Sequence, residues 1–420
     1  KADVIIKDGI ICGVGSYSGE NEQDVSGKYI MPGFIDSHVH IESSMTQPSE
    51  YAKAVMPHGI TTVIADPHEI TNVCGEDGLE FMLKSAKNIP LDVNLMLPSC
   101  VPATPFEHTG ANLDAKTTQK LAPKFFGIGE MMNYPGIVSG DDETLGKLCL
   151  DIVDGHAPLL SGHELDAYAS AGIKTDHECS VVEEMTEKIS KGMYILLREG
   201  TLSLDVAKLI KGVTPYTLRR CAFCTDDRFV GEIIRDGSID HCIRKAVSLG
   251  LNNIDAIIMA TLNACEIYGM KNKGAIAPSY VADIVVADDL NLSSISQVYK
   301  NGKLVCENGK ALFECETVDN SKVTNTVHLP KISADFFKTD VKDKFDAIEL
   351  IPESIITKKV TVSYSDSLSK VCVIERHHNL GTKGIGFVTN YGITNGAIAT
   401  SIGHAPQAAL ADPAAGSILS

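Results

Sequence analysis

The sequence predicts an α/β protein built on a (β/α)8 TIM-like barrel, with a small β-sandwich domain formed by both flanks and a C-terminal α/β domain. Three observations lead there. Short apolar runs alternate with helical segments eight times between residues 34 and 225, at roughly 20–30-residue spacing, about one βα unit each. Strand-like segments before residue 31 have counterparts after residue 280, so the two ends of a long insert can meet in one sheet. Polar residues of metal-ligating type fall at or just past the ends of the apolar runs, the face on which barrels build active sites.

The chain opens on strand patterns at Val4–Ile6, Ile10–Val14 and Lys28–Met31, with turns at Gly9 and Gly27. It begins inside such a pattern, without Met or signal peptide, so the native start is expected to precede Lys1. The eight barrel strands are expected at Phe34–Ser37, Thr61–Ala65, Val93–Leu97, Phe125–Gly129, Ile152–Asp154, Ile173–Asp176, Met193–Leu197 and Cys221–Thr225. Ser49–His58 and Ser180–Lys191 carry helical periodicity, and His58-Gly59 has the form of a helix end with Gly just beyond it. Downstream, Ala282–Ala287 precedes an Asn301-Gly302 pair between two apolar runs, a strong hairpin signal. Residues 1–31 with 275–315 are thus expected to form the small β domain, 32–274 the barrel, and 316–420 a third domain with signals at Ala334–Lys338, Lys370–Glu375 and Ile385–Val388.

Composition narrows the function. A net charge of −17 argues against nucleic acid and against polyanionic substrates, and favours a neutral or cationic small molecule. No run of about 18 apolar residues is present, so no transmembrane helix and no membrane partner are expected. Twelve cysteines scattered through 420 residues lack the density of a disulfide scaffold and point to a reducing, cytoplasmic setting. Cys221 and Cys224 form a single CxxC within an apolar run and read as buried strand residues.

His38 and His40 lie two apart in a strand, so both imidazoles face one point. The other strand ends bring Asp66-Pro67-His68-Glu69, Pro98-Ser99, Glu130, His156, His177-Glu178, Arg198-Glu199 and Asp226-Asp227. His38, His40, Glu130, His156, His177 and Asp226 make a six-ligand set suited to two divalent ions sharing a bridging carboxylate. Mixed imidazole and carboxylate ligands suit Mn, Fe or Zn. His68 and Glu69 follow strand two and face the mouth, where they contact substrate or metal or brace the loop. Glu42 is placed to orient an imidazole; Asp227 reads as a supporting or turn residue, and His163 and His241 as surface positions.

The His-x-His strand, the later histidines and the terminal Asp resemble the amidohydrolase superfamily. Pro32 to Ser44, Asp66 to Ile70, Gly129 to Asn133, Asp154 to Pro158, Thr175 to Glu178, Arg198 to Gly200, Cys224 to Arg228, Gly274 to Pro278 and Ala282 to Val286 closely resemble bacterial adenine deaminases. Glu375 to His378 and Gly396 to Ser401 resemble the extra C-terminal domain of that group. After His404 a polar stretch is expected by the resemblance, and Ala405-Pro406-Gln407-Ala408 stands there instead, leaving His404 between an active-site role and a loop role.

The resemblance implies a metal-dependent hydrolase that converts adenine to hypoxanthine and ammonia in purine salvage, as a homodimer using Mn or Fe, with Zn also suitable. Such chemistry needs a strong nucleophile at neutral pH, which metal coordination of water provides, and a carboxylate to move protons. By that analogy Asp226 takes the proton of the nucleophile and Glu178 protonates the ring. Arg198 and Glu199 could read a purine edge through paired donors and acceptors, or pair with each other. The alternatives are a cyclic amide hydrolase of the dihydroorotase or hydantoinase type and a non-catalytic barrel scaffold. Relatives of the first kind generally carry a modified Lys at the end of strand four, where this chain has Glu130; a scaffold would be expected to lose ligands, and all six are present.

Overall fold

A computed structural model describes residues 2–340, 343–352, 357–365, 368–393, 396–400 and 407–411; His404 lies outside the described residues. The chain divides into two compact units, one of Lys1–His68, Glu80–Cys100 and Leu113–Asp319, the other of Glu69–Leu79, Val101–Asn112 and Asn320–Ser420.

The first unit starts with an antiparallel hairpin of β1 (Asp3–Lys7) and β2 (Ile10–Gly15), followed by β3 (Tyr29–Pro32). The barrel strands are β4 (Phe34–Val39), β5 (Ile60–Ala65), β6 (Asp92–Leu97), β7 (Gly127–Met131), β8 (Val153–Gly155), β9 (Thr175–Asp176), β10 (Tyr194–Arg198) and β11 (Cys221–Cys224). They form parallel ladders in the orders β4-β5-β6-β7-β8 and β9-β10-β11. The Lys174 amide donates to the Val153 carbonyl between β8 and β9, and a parallel bridge of Val39 with Asp226 joins β11 to β4. All eight expected strands are present within a few residues. Every residue of β4, β5, β7 and β11 is buried, as a sheet covered on both faces requires.

Helices follow the strands and close the outer layer. Ile35, Leu196, Ala222 and Cys224 pack against Ala264 and Cys265, behind the strands that carry the site. After helix Pro48–Val55, Gly59 stops the chain at φ 85°; a Cβ there would lie 2.8–2.9 Å from Phe34 and Val285, so the position needs both the glycine conformation and its small size.

Beyond the barrel come β12 (Ile284–Ala287), β13 (Ile295–Lys300), β14 (Lys303–Glu307) and β15 (Lys310–Ala311). The sheet order β15-β14-β13-β12-β3 pairs the two flanks of the barrel antiparallel. Asn301 (φ 48°) and Gly302 (φ 72°) turn β13 into β14 with two positive φ angles, the geometry that selects Asn-Gly.

The second unit holds β16 (Lys344–Leu350), β17 (Thr357–Ser363), β18 (Ser369–Ile374), β19 (Lys383–Thr389), β20 (Ala397–Thr400) and β21 (Gln407–Ala411) in the order β17-β16-β19-β18-β21-β20. Its small core gathers Phe337, Cys372 and Ile374 in one cluster and Ala347, Leu368 and Phe387 in another. No helix among the described residues is long and apolar enough to cross a membrane.

Candidate metal centre and active site

Alternation along β4 turns Asp36, His38 and then His40 to the barrel interior. Asp36 is tied across the seam to β11, accepting from the Thr225 amide (3.0 Å) and hydroxyl, and burial pushes its carboxyl up to about 6 against those bonds. The His38 carbonyl accepts from the Asp226 amide (2.9 Å), and the Asp226 carbonyl from the His40 amide (3.2 Å). These bonds hold Asp226 at φ 56°, an uncommon conformation for a residue with a Cβ. Its Oδ1 then lies 3.5 Å from His38 Nε2 and 3.1 Å from His40 Nε2, and the two imidazole nitrogens are 3.1 Å apart.

Glu130, on β7, is at the middle of the cluster. Its Oε1 is 3.1 Å from His68 Nδ1 and 3.5 Å from His40 Nε2; its Oε2 is 2.7 Å from His156 Nδ1 and 3.1 Å from His177 Nε2. One carboxylate therefore divides its oxygens between two sets of imidazoles. Asp66 positions it from behind, its Oδ2 accepting from the Glu130 amide at 3.0 Å. His40 Nδ1 is 2.8 Å from the Asp66 carbonyl, which can only accept, so Nδ1 carries the proton and Nε2 offers a lone pair to the cluster. Asp154, held by Thr175 and Tyr268, approaches His38 Nδ1 at 3.9 Å.

The donor set fits divalent ions. His38 with His177 and Asp226, His38 with His40 and Glu130, and Glu130 with His156 and His177 each bring ligand atoms within 4.8 Å of one another. Burial opposes charge on His38, yet Asp154 and Asp226 outweigh it and raise its pKa to about 10. Burial likewise opposes ionisation of Glu130 and Asp226, but the surrounding imidazoles hold both carboxyls well below the ordinary range. Buried carboxylates that would protonate imidazoles to balance themselves are a place for cations, which oxygen and nitrogen donors at this spacing can hold.

All six expected ligands are brought together, with His68 beside them. Glu178 lies next to the cluster, its Oε1 3.5 Å from His177 Nε2 and 3.8 Å from His156 Nδ1. Arg198 joins Glu178 and Asp226 by ion pairs. Glu199 does not join them: it ion-pairs Lys245 of helix Ile239–Ser248 and approaches His241 at 4.0 Å. Glu69 lies in the first turn of helix His68–Ser85 and belongs to the second unit. Glu42 is half-buried in the turn after His40, Asp227 is exposed and accepts from Ser43, and His163 is exposed. The supporting carboxylates Asp36, Asp66, Asp154, Asp176 and Asp205 carry no role in the sequence reading. Asp66, Asp154 and Asp176 share one signal, an Asp at or beside the end of a barrel strand, and Asp36 lies within β4 on the same face as His38.

The chain matches the family model "Amidohydrolase family" over residues 29–305 and "Adenine deaminase C-terminal domain" over residues 350–411. Solved structures with the same fold include a β-aspartyl dipeptidase from Fervidobacterium islandicum (TM-score 0.54, 19% identity, covering 76% of this chain and 95% of that one). An enamidase of the amidohydrolase superfamily gives a TM-score of 0.52 at 18% identity, over 74% of this chain and 91% of its own. The family match over residues 29–305 makes the chain an amidohydrolase. Adenine deaminase of Clostridium acetobutylicum is 47% identical over 424 residues, 96% of this chain and 74% of the relative. That of Halalkalibacterium halodurans is 44% identical over 96% of this chain and 73% of its own length. The chain belongs to the adenine deaminase family.

Proposed function

We propose that the protein hydrolyses adenine to hypoxanthine and ammonia in purine salvage. The observation that carries the reading is Glu130 dividing its carboxylate oxygens between two imidazole sets, in a chain of the adenine deaminase family. Such a carboxylate suits two ions and a hydrolytic reaction.

His38, His40, Glu130, His156, His177 and Asp226 are the residues that would hold the ions, Mn or Fe foremost and Zn also suitable. When bound, the ions supply acidification of water, from a pKa of ~15.7 toward ~7. Asp226 accepts the proton of the attacking water as its oxygen bonds to C6 of the ring. Glu178 delivers a proton to the ring nitrogen and takes up the second proton of the attacking oxygen. Asp226 passes its proton to the amine, and the C6–N bond then breaks to release ammonia and leave a C6 carbonyl. Burial of both carboxylates makes their hydrogen bonds stronger than in water. His68 is assigned to substrate contact.

We assign residues 32–274 to the catalytic barrel, 1–31 with 275–315 to the small β domain and 316–420 to the adenine-deaminase-type C-terminal domain. A homodimer in the cytoplasm is the expected setting, the twelve scattered cysteines of the sequence lacking the density of a disulfide scaffold.

The test follows ammonia release from adenine, adenosine, cytosine and dihydroorotate after loading with Mn, Fe or Zn. Release from adenine is expected; turnover of a cyclic amide alone refutes the reading, and full activity of His38→Ala refutes the metal mechanism.

A further inference from the structure

Arg198 ends β10, 3% exposed, and its guanidinium has five N–H donors in a fixed fork. Each is engaged by a carboxylate. Nη1 donates to Glu178 Oε1 and to Asp226 Oδ2 (3.0 Å), Nη2 to Glu178 Oε2 (3.3 Å) and Asp205 Oδ2 (3.1 Å), and Nε to Asp205 Oδ2 (3.1 Å). An arginine that recognised a purine edge would keep donors for the ligand; this one has none to spare. Glu178 and Asp226 are the two carboxylates assigned to proton transfer, and one guanidinium spans both.

Asp205 holds the fork from the opposite side. Its amide donates to the Arg198 carbonyl (2.9 Å), and its second oxygen accepts from Lys208 (2.9 Å). Asp205 is itself 2% exposed, so its place is set before substrate arrives. We propose that Arg198, held by Asp205, is a positioning residue that orients the proton-transfer carboxylates Glu178 and Asp226 and takes no part in recognising the substrate. With Oδ2 of Asp226 fixed by Arg198, Oδ1 is turned to His38 and His40. Lysine keeps the charge but cannot reproduce the fork, so a charge role and an orienting role give different outcomes.

The inference rests on the deaminase reading for what the two carboxylates do, and its test separates the two. Parent, Arg198→Lys, Arg198→Gly and Asp205→Asn chains are loaded with Mn and assayed for ammonia release from adenine. If the parent releases none, the deaminase reading fails, and extraction of Mn by a chelator, followed by electron paramagnetic resonance of the released ion, still decides the role of Arg198. The expected kcat falls about 10–100-fold in Arg198→Lys and Asp205→Asn, with Mn extracted about 10-fold faster. KM stays within about threefold, because orientation and not binding is lost. Added guanidinium ion raises kcat of Arg198→Gly by about 10-fold and leaves Asp205→Asn unchanged. Should Arg198→Gly fail to fold, the two conservative variants carry the test. A raised KM with kcat kept returns Arg198 to substrate recognition, and extraction rates within about twofold of the parent overturn the orienting role.

Discussion

Replacing Lys188 by Met should destabilise the barrel severely. The lysine is fully buried on helix Val182–Ser190, with its ammonium 2.7 Å from the Ala157 carbonyl, 2.8 Å from Glu184 Oε1 and 3.1 Å from Asp176 Oδ2. Burial opposes its charge, but Asp176 and Glu184 outweigh it and lift the ammonium above the ordinary lysine range. Asp176 in turn accepts from the amides of Ala157 (2.9 Å) and Glu178 (2.8 Å), so the network staples the segments that carry His156 and His177. Met fills similar volume and leaves two buried carboxylates without their cation, a loss of about 3–5 kcal/mol. In a unit of this size that lowers Tm on the order of 10 °C, read by differential scanning calorimetry. Adding Glu184→Gln should recover part of the loss, since it neutralises one of the stranded charges. A Lys188→Met transition within about 1 °C of the parent, or a double variant less stable than the single one, would refute the reasoning.

Other sites give independent checks. Asp240 is buried against His58 (3.1 Å), Arg244 (2.7 Å) and the Ser238 amide (2.7 Å). Burial opposes its ionisation, yet His58 and Arg244 hold its carboxyl below 3.8, so folding favours the ionised form and this stability, present above about pH 4, is lost as pH falls through the folded value. Urea titrations should show Asp240→Asn weaker than the parent by about 2 kcal/mol at pH 7, with the gap closing toward pH 3; an equal gap at both pH values counts against the ion pairs. In Gly129→Ala the new Cβ would lie 2.1 Å from Asp66 Oδ2, displacing the carboxylate that fixes the Glu130 amide. Metal retention should fall about 10-fold, and unchanged metal content after dialysis would show that Asp66 does not place Glu130. Removing metal with a chelator should cost about 4 kcal/mol of stability relative to protein in 1,000-fold excess over Kd; an unshifted Tm would mean that the cluster folds without ions.

The barrel was legible because parallel strands covered on both faces write themselves as continuous apolar runs, and because its chemistry collects at one end of them. His38 and His40 illustrate this: spacing alone aims them together, and Glu130 is the residue at the tip of β7. Arg198 and Glu199 show where the reading stopped. Taken as a pair for one ligand, they are consecutive at the end of a strand and so point to opposite sides. Arg198 turns inward to Glu178 and Asp226, and Glu199 outward to Lys245. Asp205 and Lys188 had no such signal. Asp205 is a loop residue whose partner is fixed only by tertiary structure, and Glu184 with Lys188 has the i,i+4 spacing of a solvated helix pair.

Charge placement then gives a physical reason for the proposed ions to gather around Glu130 in particular. Arg198 answers Asp205, Glu178 and Asp226 on one side, and Lys188 answers Asp176 and Glu184 on the other. Glu130 has neither as a partner and is faced by His40, His68, His156 and His177. An imidazole can balance a carboxylate only when protonated, and a protonated imidazole offers no lone pair. His40 already donates from Nδ1 to the Asp66 carbonyl, so a second proton on Nε2 would abolish its ligand function. Divalent ions would resolve the conflict by supplying the positive charge while leaving a lone pair on the nitrogen each imidazole turns to Glu130, Nε2 of His40 and His177 and Nδ1 of His68 and His156. The arginine and lysine placed at the flanks thus keep permanent charge out of the centre, where exchangeable ions can take it up.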